Sequence, residues 1–382
     1  MRTLFSFVGG RGHAEPLLPL ARVAVERGHD VAFAAQSAML PWLAAEGFTA
    51  FAAGPSTVST VKQPLRTPDR DNEARVLRDH FAGSVARGRA SDLVPVFSDW
   101  RPDVVVCDDV DFGAMVVADR LGVPKAIVVV LAAGGFATPV LLAGALNELR
   151  AEHGLPADPD LSMLRHDLVV APLPPSFRDP DDPLPATTLY VRPSALEPPG
   201  ATALPALRAD RPTVYVTLGT IFNLESGDLF TRMLAGLGDA PWNVVVTVGP
   251  HLDPSEFSAL ASNIHIESFL PHAGLLPRCD VVVCHGGSGT VIGALSHGVP
   301  LVNIPMGADQ MHNADRCEDL GVGITRDVMT VTPEEIRHAV SVVMAQPRYR
   351  TAAAVLRDES ASLPDAHVVL DELDALSVRA SH

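Results

Sequence analysis

The sequence predicts an α/β protein built as two doubly wound halves, each a parallel sheet covered by helices on both faces, with a cleft between them. Three observations predict it. The chain has 382 residues, too many for one ordinary core and suited to two domains of about 150 to 200 residues. Short, continuous Val/Ile-rich runs alternate with amphipathic stretches along most of its length, as strands buried on both faces do. A proline-marked break, "LEPPGATALPALRADR" at 196–211, separates two such series.

The first series begins with "TLFSFV", a buried strand that runs straight into a glycine turn, followed by "PLLPLARVAVERGHD" with apolar residues at helical spacing. "VAFAA" reads as the next strand and "MLPWLAAEG" as a helix; "PDVVVCDD", "FGAMVVADRLGVP" and "AIVVV" repeat the alternation. Residues 54–72 and 155–188 lack periodicity and read as long loops, which in compact enzymes usually shape a binding site. Residues 126–146 are uncharged and about long enough to span a bilayer, but Gly134, Gly135 and Pro139 break them into a strand, a loop and a helix start. The second series runs "TVYVTLG", a helix over 228–236, "WNVVVTVG", "IHIESFL", "CDVVVCHGG", a helix, "PLVNIP" and helices to the end. The expected units are therefore 1–195, a linker at 196–211, 212–365, and a last helix at 366–382.

Composition removes several functions. A net charge of −16 disfavours a phosphate-backbone partner, because nucleic-acid binding needs a basic face. The four cysteines, Cys107, Cys279, Cys284 and Cys317, form no Cys-x-x-Cys pair and fit a reduced, cytoplasmic protein. The amino terminus lacks the basic region and cleavage site of a secretion signal.

Two glycine turns carry the chemistry. In "GGRGHAEP" the dinucleotide fingerprint fails because Glu15 stands at its third glycine, and no lysine completes a P-loop. A nicotinamide dehydrogenase is disfavoured on the same ground. The glycines instead present His13 at the carboxyl edge of a parallel sheet, where open α/β folds bind ligands; from spacing alone both a reactive and a helix-capping histidine stay open. In "CDVVVCHGGSGTVIGALSHGVPLVNIPMGADQMHNADR", residues 279–316, the phosphate logic succeeds. His285 ends a strand, and Gly286, Gly287, Ser288, Gly289 and Thr290 open a helix whose free amides and dipole suit a diphosphate. His285 and the hydroxyls of Ser288 and Thr290 can donate as well.

"HGGSGT", "P...ADQ" and the opening "GGRGHAEPLLPL" resemble the UDP-glycosyltransferase family of inverting, metal-independent GT-B enzymes, with two facing Rossmann-like domains. The likeness is greatest to the bacterial branch that decorates macrolides, enediynes and aromatic polyketides. It implies that the first half binds an acceptor, the second half binds a nucleotide sugar, and the last helix crosses back to the first half. Residue by residue, it implies that His13 is the catalytic base and Asp108 its carboxylate partner, with Asp109 and Asp111 as rivals. His285, Gly286, Gly287, Ser288, Gly289 and Thr290 would hold the diphosphate, and Thr217, Gly219 and Thr220 in "VTLGT" would face it. Phe269 and Leu270 in "SFLPH" would meet the base, Phe269 standing where plant members have a stacking tryptophan. Asp309 and Gln310 would hold sugar hydroxyls.

The implied reaction is direct displacement with inversion, the leaving group's charge carried by backbone amides and a helix dipole with no metal or other cofactor. The Asp-x-Asp at 109–111 could suggest a metal, but the same spacing recurs at Asp69/Asp71, Asp158/Asp160 and Asp179/Asp181 in this acidic chain. One departure bears on the nucleotide: Gly293 stands where plant members place a glutamate on the ribose hydroxyls, which favours a TDP-sugar over a UDP-sugar. The expected partners are such a donor and a small hydrophobic aglycone, with no nucleic acid, no integral membrane association, and room for a homodimer. A nucleotide-sugar epimerase or a non-catalytic auxiliary protein on the same fold is the alternative.

Overall fold

Strands buried on both faces set the architecture of the computed structural model, which describes residues 1–57, 61–165, 167–193, 204–257 and 261–380. The first half contains β1 (Arg2–Ser6), α1 (Arg11–Ala14), α2 (Leu18–Glu26), β2 (Asp30–Ala35), α3 (Leu40–Ala45) and β3 (Thr49–Ala52). α4 (Arg70–Arg75) continues through a π-helical stretch, Val76–Val85, into α5 (Ala86–Trp100). β4 (Val104–Asp108), α6 (Phe112–Leu121), β5 (Lys125–Val128), α7 (Pro139–Glu152), β6 (Leu168–Ala171) and β7 (Leu189–Tyr190) complete it. The second half contains β8 (Thr213–Thr217), α8 (Leu229–Leu237), β9 (Asn243–Thr247), β10 (Ile264–Glu267), α9 (His272–Leu275), β11 (Val281–Cys284) and α10 (Ser288–Ser296). β12 (Leu301–Asn303), α11 (Gln310–Asp319), β13 (Gly323–Thr325), α12 (Pro333–Ala345), α13 (Pro347–Ser362) and α14 (His367–Ala380) follow.

Both sheets are parallel. One has seven strands in the order β3-β2-β1-β4-β5-β6-β7, the other six in the order β10-β9-β8-β11-β12-β13. The order reverses between β1 and β4 and between β8 and β11, and such a switch point opens a crevice at the carboxyl ends of the strands. The register places Ser6 beside Cys107 and Thr217 beside Cys284, so each glycine turn leaves its sheet at the switch point. Val104, Val105 and Val106 are fully buried, as are Val281, Val282 and Val283. Each such side chain contributes roughly 1.5–3 kcal/mol, which anchors the strand ends that carry the turns.

Three boundaries differ from the sequence-based expectation. The helix expected from Pro16 begins only at Leu18, after α1 and a break at 15–17. The loop expected over 54–72 ends earlier, because the Asp69 carboxylate accepts the amides of Asp71 and Asn72 and so caps α4. The stretch 155–188 holds β6, a four-residue strand paired with β5 and β7. The linker expected at 196–211 lies outside the described residues up to 203. Its remainder is pinned to the second half, where the Asn243 side chain accepts the Arg208 amide and donates to the Arg208 and Arg211 carbonyls.

Val369, Leu370 and Leu373 of α14 pack in the core of the first half with Phe5, Leu17 and Phe33. Arg27–Asp371 and His29–Asp374 pairs at 2.6 and 3.2 Å flank that contact. The apolar stretch 126–146 is divided between β5, a loop and α7, and among the described residues no helix is long and apolar enough to cross a membrane.

Candidate active site

His13 is placed by backbone geometry. Gly9 has φ +92°, a conformation that favours glycine, and a Cβ there would lie 3.3 Å from the His13 ring, a tight approach. His13 Nδ1 lies 3.0 Å from Asp108 Oδ2. Asp108, the last residue of β4, is fully buried and also accepts the amides of Val8 and Val110 at 3.0 Å each. Its orientation is therefore fixed. An Nδ1–H donated to this carboxylate leaves Nε2 as a bare acceptor for a hydroxyl proton.

The rival carboxylates are occupied elsewhere. Asp111 forms a buried pair with Arg89 at 2.6 Å, accepts the Ser6 hydroxyl at 2.6 Å and caps α6 through the Ala114 amide. Asp109 turns beneath the loop after β5 and accepts the amides of Val130 and Leu131. Burial and the neighbouring Asp108 charge push its carboxyl up to about 7. For His13, burial alone would lower the pKa, but the Asp108 hydrogen bond and charge, with Asp109 and Asp309 beyond, raise it above the usual 6.5.

The second turn has opposite electrostatics. His285 follows β11 and is buried, its ring wedged between Gly219 and Gly287. A Cβ at Gly219, where φ is +72°, would come within 2.8 Å of the ring, and one at Gly287 would run into Nε2. Burial pushes the imidazole down to about 4, with only the Thr217 backbone acting the other way. It is neutral, and its Nδ1 has no hydrogen-bond partner among the described residues. α10 has no side-chain cap and no acid in its first turn. The Thr290 and Val291 amides turn back on the Gly287 carbonyl, while Ser288 and Gly289 line an interdomain cavity, with open space where a Gly289 Cβ would stand. Below, Thr217 Oγ1 accepts the Gly219 amide at 3.2 Å and the Thr247 hydroxyl at 3.0 Å; Thr220 follows, half-buried.

Two donor-side expectations change in detail. The Ser288 hydroxyl, offered by the sequence to a phosphate, donates to Asp309 Oδ2 at 2.7 Å and accepts the amide of Ala132, from the other half, at 2.9 Å. Gln310 is buried, and its Oε1 accepts the amides of Met306 and Gly307, so its carbonyl end holds the preceding turn and only Nε2 is left to meet a ligand. Asp309 is half-buried beside Ser288 and Asn313. Burial raises its carboxyl, against the hydrogen bonds from those two side chains and the charge of His13 across the cleft.

A basic-leaning histidine and an uncapped helix amino terminus thus face one cleft from two halves. Comparison with known proteins fits this arrangement. Residues 231–376 match the family described as "Erythromycin biosynthesis protein CIII-like, C-terminal domain". The chain is 29% identical to 4'-demethylrebeccamycin synthase of Lentzea aerocolonigenes over 98% of both chains. It is 27% identical to erythronolide mycarosyltransferase of Saccharopolyspora erythraea over 99% of both. Among solved structures, spinosyn rhamnosyltransferase SpnG superposes with a TM-score of 0.82 at 22% identity, over 98% of this chain and 100% of that one. The chain is a glycosyltransferase with the GT-B fold, similar to enzymes of antibiotic and natural-product biosynthesis.

In this glycosyltransferase the interdomain cavity, about 370 Å³, extends from Ser288 and Gly289 past Gly293 and Phe269 to Arg11, Glu15 and Trp42. His13 and Asp309 do not line it. Phe269 is 37% exposed there, whereas the Leu270 side chain is buried in the core with Tyr215 and Leu276 and can offer a base only its backbone. The Arg11 guanidinium lies 5.2 Å from the Trp42 ring and 5.7 Å from the Phe269 ring, bridging the halves. Glu15 on the same wall has its carboxyl pushed up to about 7, mainly by desolvation.

Sequence reasoning missed three participants. Glu73 of α4 reaches across to accept the Ala308 amide at 3.0 Å, next to Asp309, where Ala308 has φ +53°. His272 closes a chain of hydroxyls from Thr217 through Thr247 and Tyr215. Asn313 sits one helical turn after Asp309 on the buried face of α11; a polar residue four positions from a candidate ligand was the available signal.

Proposed function

We propose that this glycosyltransferase moves a sugar from a TDP-sugar to a hydroxyl of a small hydrophobic polyketide or antibiotic aglycone, with inversion and without a metal ion. The observation that carries this reading is the His13–Asp108 dyad on a turn whose Gly12 lines the same cavity as Ser288 and Gly289 at the uncapped α10 terminus. His13 Nε2 takes the acceptor proton as the oxygen attacks the anomeric carbon. The bond from that carbon to the diphosphate oxygen breaks, and its electron pair leaves with the nucleoside diphosphate. The α10 amides suit the departing charge, and Asp309 suits a sugar hydroxyl. The relatives' names, a mycarosyltransferase acting on an erythronolide and a rebeccamycin-type synthase, support a natural-product acceptor.

The preference for TDP rests on Gly293. A Cβ there would meet Leu276 at 3.4 Å and His272 Nδ1 at 3.6 Å, ordinary contact distances, so packing does not enforce glycine. What glycine removes is a carboxylate able to accept from a ribose 2′-hydroxyl. An unpaired buried hydroxyl costs about 1–3 kcal/mol, and thymidine's deoxyribose has none at that position.

The test uses TDP- and UDP-linked forms of one sugar, with and without an aglycone panel and with and without EDTA, reading nucleoside diphosphate release and product anomer. Expected are acceptor-dependent release, an inverted product, indifference to EDTA, and kcat/KM higher for the TDP form by about 5- to 150-fold. Equal or reversed kcat/KM removes the nucleotide preference. Activity lost to EDTA and restored by Mg²⁺ removes the metal-free mechanism. Conversion of the sugar nucleotide without any acceptor points instead to an epimerase, and no turnover with any donor to an auxiliary protein.

A further inference from the structure

Resting on the assignment of Asp309 and the α10 terminus to the donor, we propose that Asn313 is a positioning residue that keeps the donor site in register with the His13–Asp108 pair. Asn313 is fully buried, and its carboxamide spans the two halves. Oδ1 accepts the Ala133 amide at 3.1 Å; Nδ2 donates to the Gly286 carbonyl at 2.9 Å, the Ser288 hydroxyl at 3.0 Å and the Asp309 carboxylate at 2.8 Å. Two N–H bonds serve three acceptors, so the group is saturated.

The segment after β5 is gripped from both sides. Four successive amides end on side chains: Val130 and Leu131 on Asp109, Ala132 on Ser288, Ala133 on Asn313. Asp109 directly follows the carboxylate that holds His13, and Ser288 and Asn313 both hold Asp309 Oδ2. A continuous connection therefore runs from the base's partner to the sugar-side carboxylate. Asn313 is the point where acceptor-half backbone, diphosphate turn and Asp309 meet, so its amide orientation sets the distance between the two sites.

Aspartate at 313 keeps the size of the side chain and the acceptor for Ala133. It removes both donors and sets a carboxylate against Asp309 and the Gly286 carbonyl. The charged groups of this network are Asp309 at the amino-terminal cap of the same helix, His13 on α1, which acts on Asp309, Asp109 beneath the 130–131 amides and Arg178, which donates to the Leu131 carbonyl; burial holds His285, on the β11 turn, down at about 4. Two carboxyls this close share a proton, and the protonated form again has an O–H to give Asp309. The N313D variant should thus recover as pH falls, a response that a simple packing defect lacks.

The experiment measures kcat, donor KM and donor hydrolysis against transfer for the parent, N313D, N313L and D309A, between pH 6 and 8. Expected for N313D at pH 8 is a loss of about 10- to 100-fold in kcat/KM, a larger hydrolysed fraction, and a variant-to-parent ratio that rises toward pH 6, while the N313L ratio stays flat. A parent-like N313D, or equal, pH-independent losses in N313D and N313L, overturns the inference while a crippled D309A leaves the donor assignment standing. Unchanged donor use by D309A overturns the donor assignment and the inference with it. Should N313D fail to fold, N313A is read by the same hydrolysis-to-transfer ratio, and an unchanged ratio overturns the inference.

Discussion

The turns after β1 and β11 are two versions of one element, a glycine-rich exit from a parallel strand at a switch point, and they are built for opposite charges. After β1 the histidine meets a buried carboxylate at 3.0 Å, and its pKa rises. After β11 the histidine is wedged between glycines beside the Phe222 ring, and its pKa falls to about 4. The helix lengths differ in the same sense: α1 has four residues and α10 nine, so only the second supplies a substantial dipole. Backbone geometry makes a crevice in both; the neighbouring carboxylates present at the first turn and not among the influences on the second set the opposite directions of the two histidines.

The largest way to break this contrast is His13→Ala, which should lower kcat by roughly 10²- to 10⁴-fold with little change in donor KM, measured by steady-state kinetics on a hydroxyl acceptor. Near-parental turnover would strip the first turn of its role as a base. Next comes Gly287→Ala on the other side. Its Cβ must displace the His285 ring, so donor kcat/KM should fall by about tenfold, the scale of one charge-assisted hydrogen bond, while acceptor KM holds. An equal rise in both KM values would mean that the turn is not specific to the donor.

The smallest effect sharpens the contrast through pH. A base acts only when neutral, so kcat/KM should fall on the acid side with a midpoint above pH 6.5, because the neighbouring carboxylates raise the His13 pKa. Removing the Asp108 charge lowers that pKa, and the residual activity of Asp108→Asn should lose its acid limb at lower pH than the parent. A limb that stays put or moves upward would show that Asp108 does not set the protonation of His13.

Much of this was legible in the sequence, for physical reasons that differ by region. Strands such as "VVVC" are apolar on both faces and cannot be mistaken for surface, so the two parallel, helix-covered sheets follow from the alternation. β6 was hidden because four residues between Asp167 and Pro172 are too few to show a period. The break between α1 and α2 was hidden because one amphipathic pattern runs across Pro16. Among Asp108, Asp109 and Asp111 charge alone offers no choice. What distinguishes them is backbone path: one ends the strand, one turns under a loop, one caps a helix against Arg89. The occupied Ser288 hydroxyl was beyond reach, since the amide that fills it comes from Ala132, 156 residues away.

The chain passes between the halves twice, once between β7 and β8 and once between α13 and α14. Arg192 fastens the first passage to the second, its amide on the Pro364 carbonyl at 2.8 Å and its guanidinium on the Ala361 and Leu363 carbonyls at 3.2 Å each. A single tether leaves three rotations free. Two tethers bound side by side behave as a door hinge, compliant about one line and stiff to twisting or sliding. Arg192 also lines the cavity with Ser288 and Gly289, so this hinge forms part of the cleft wall itself.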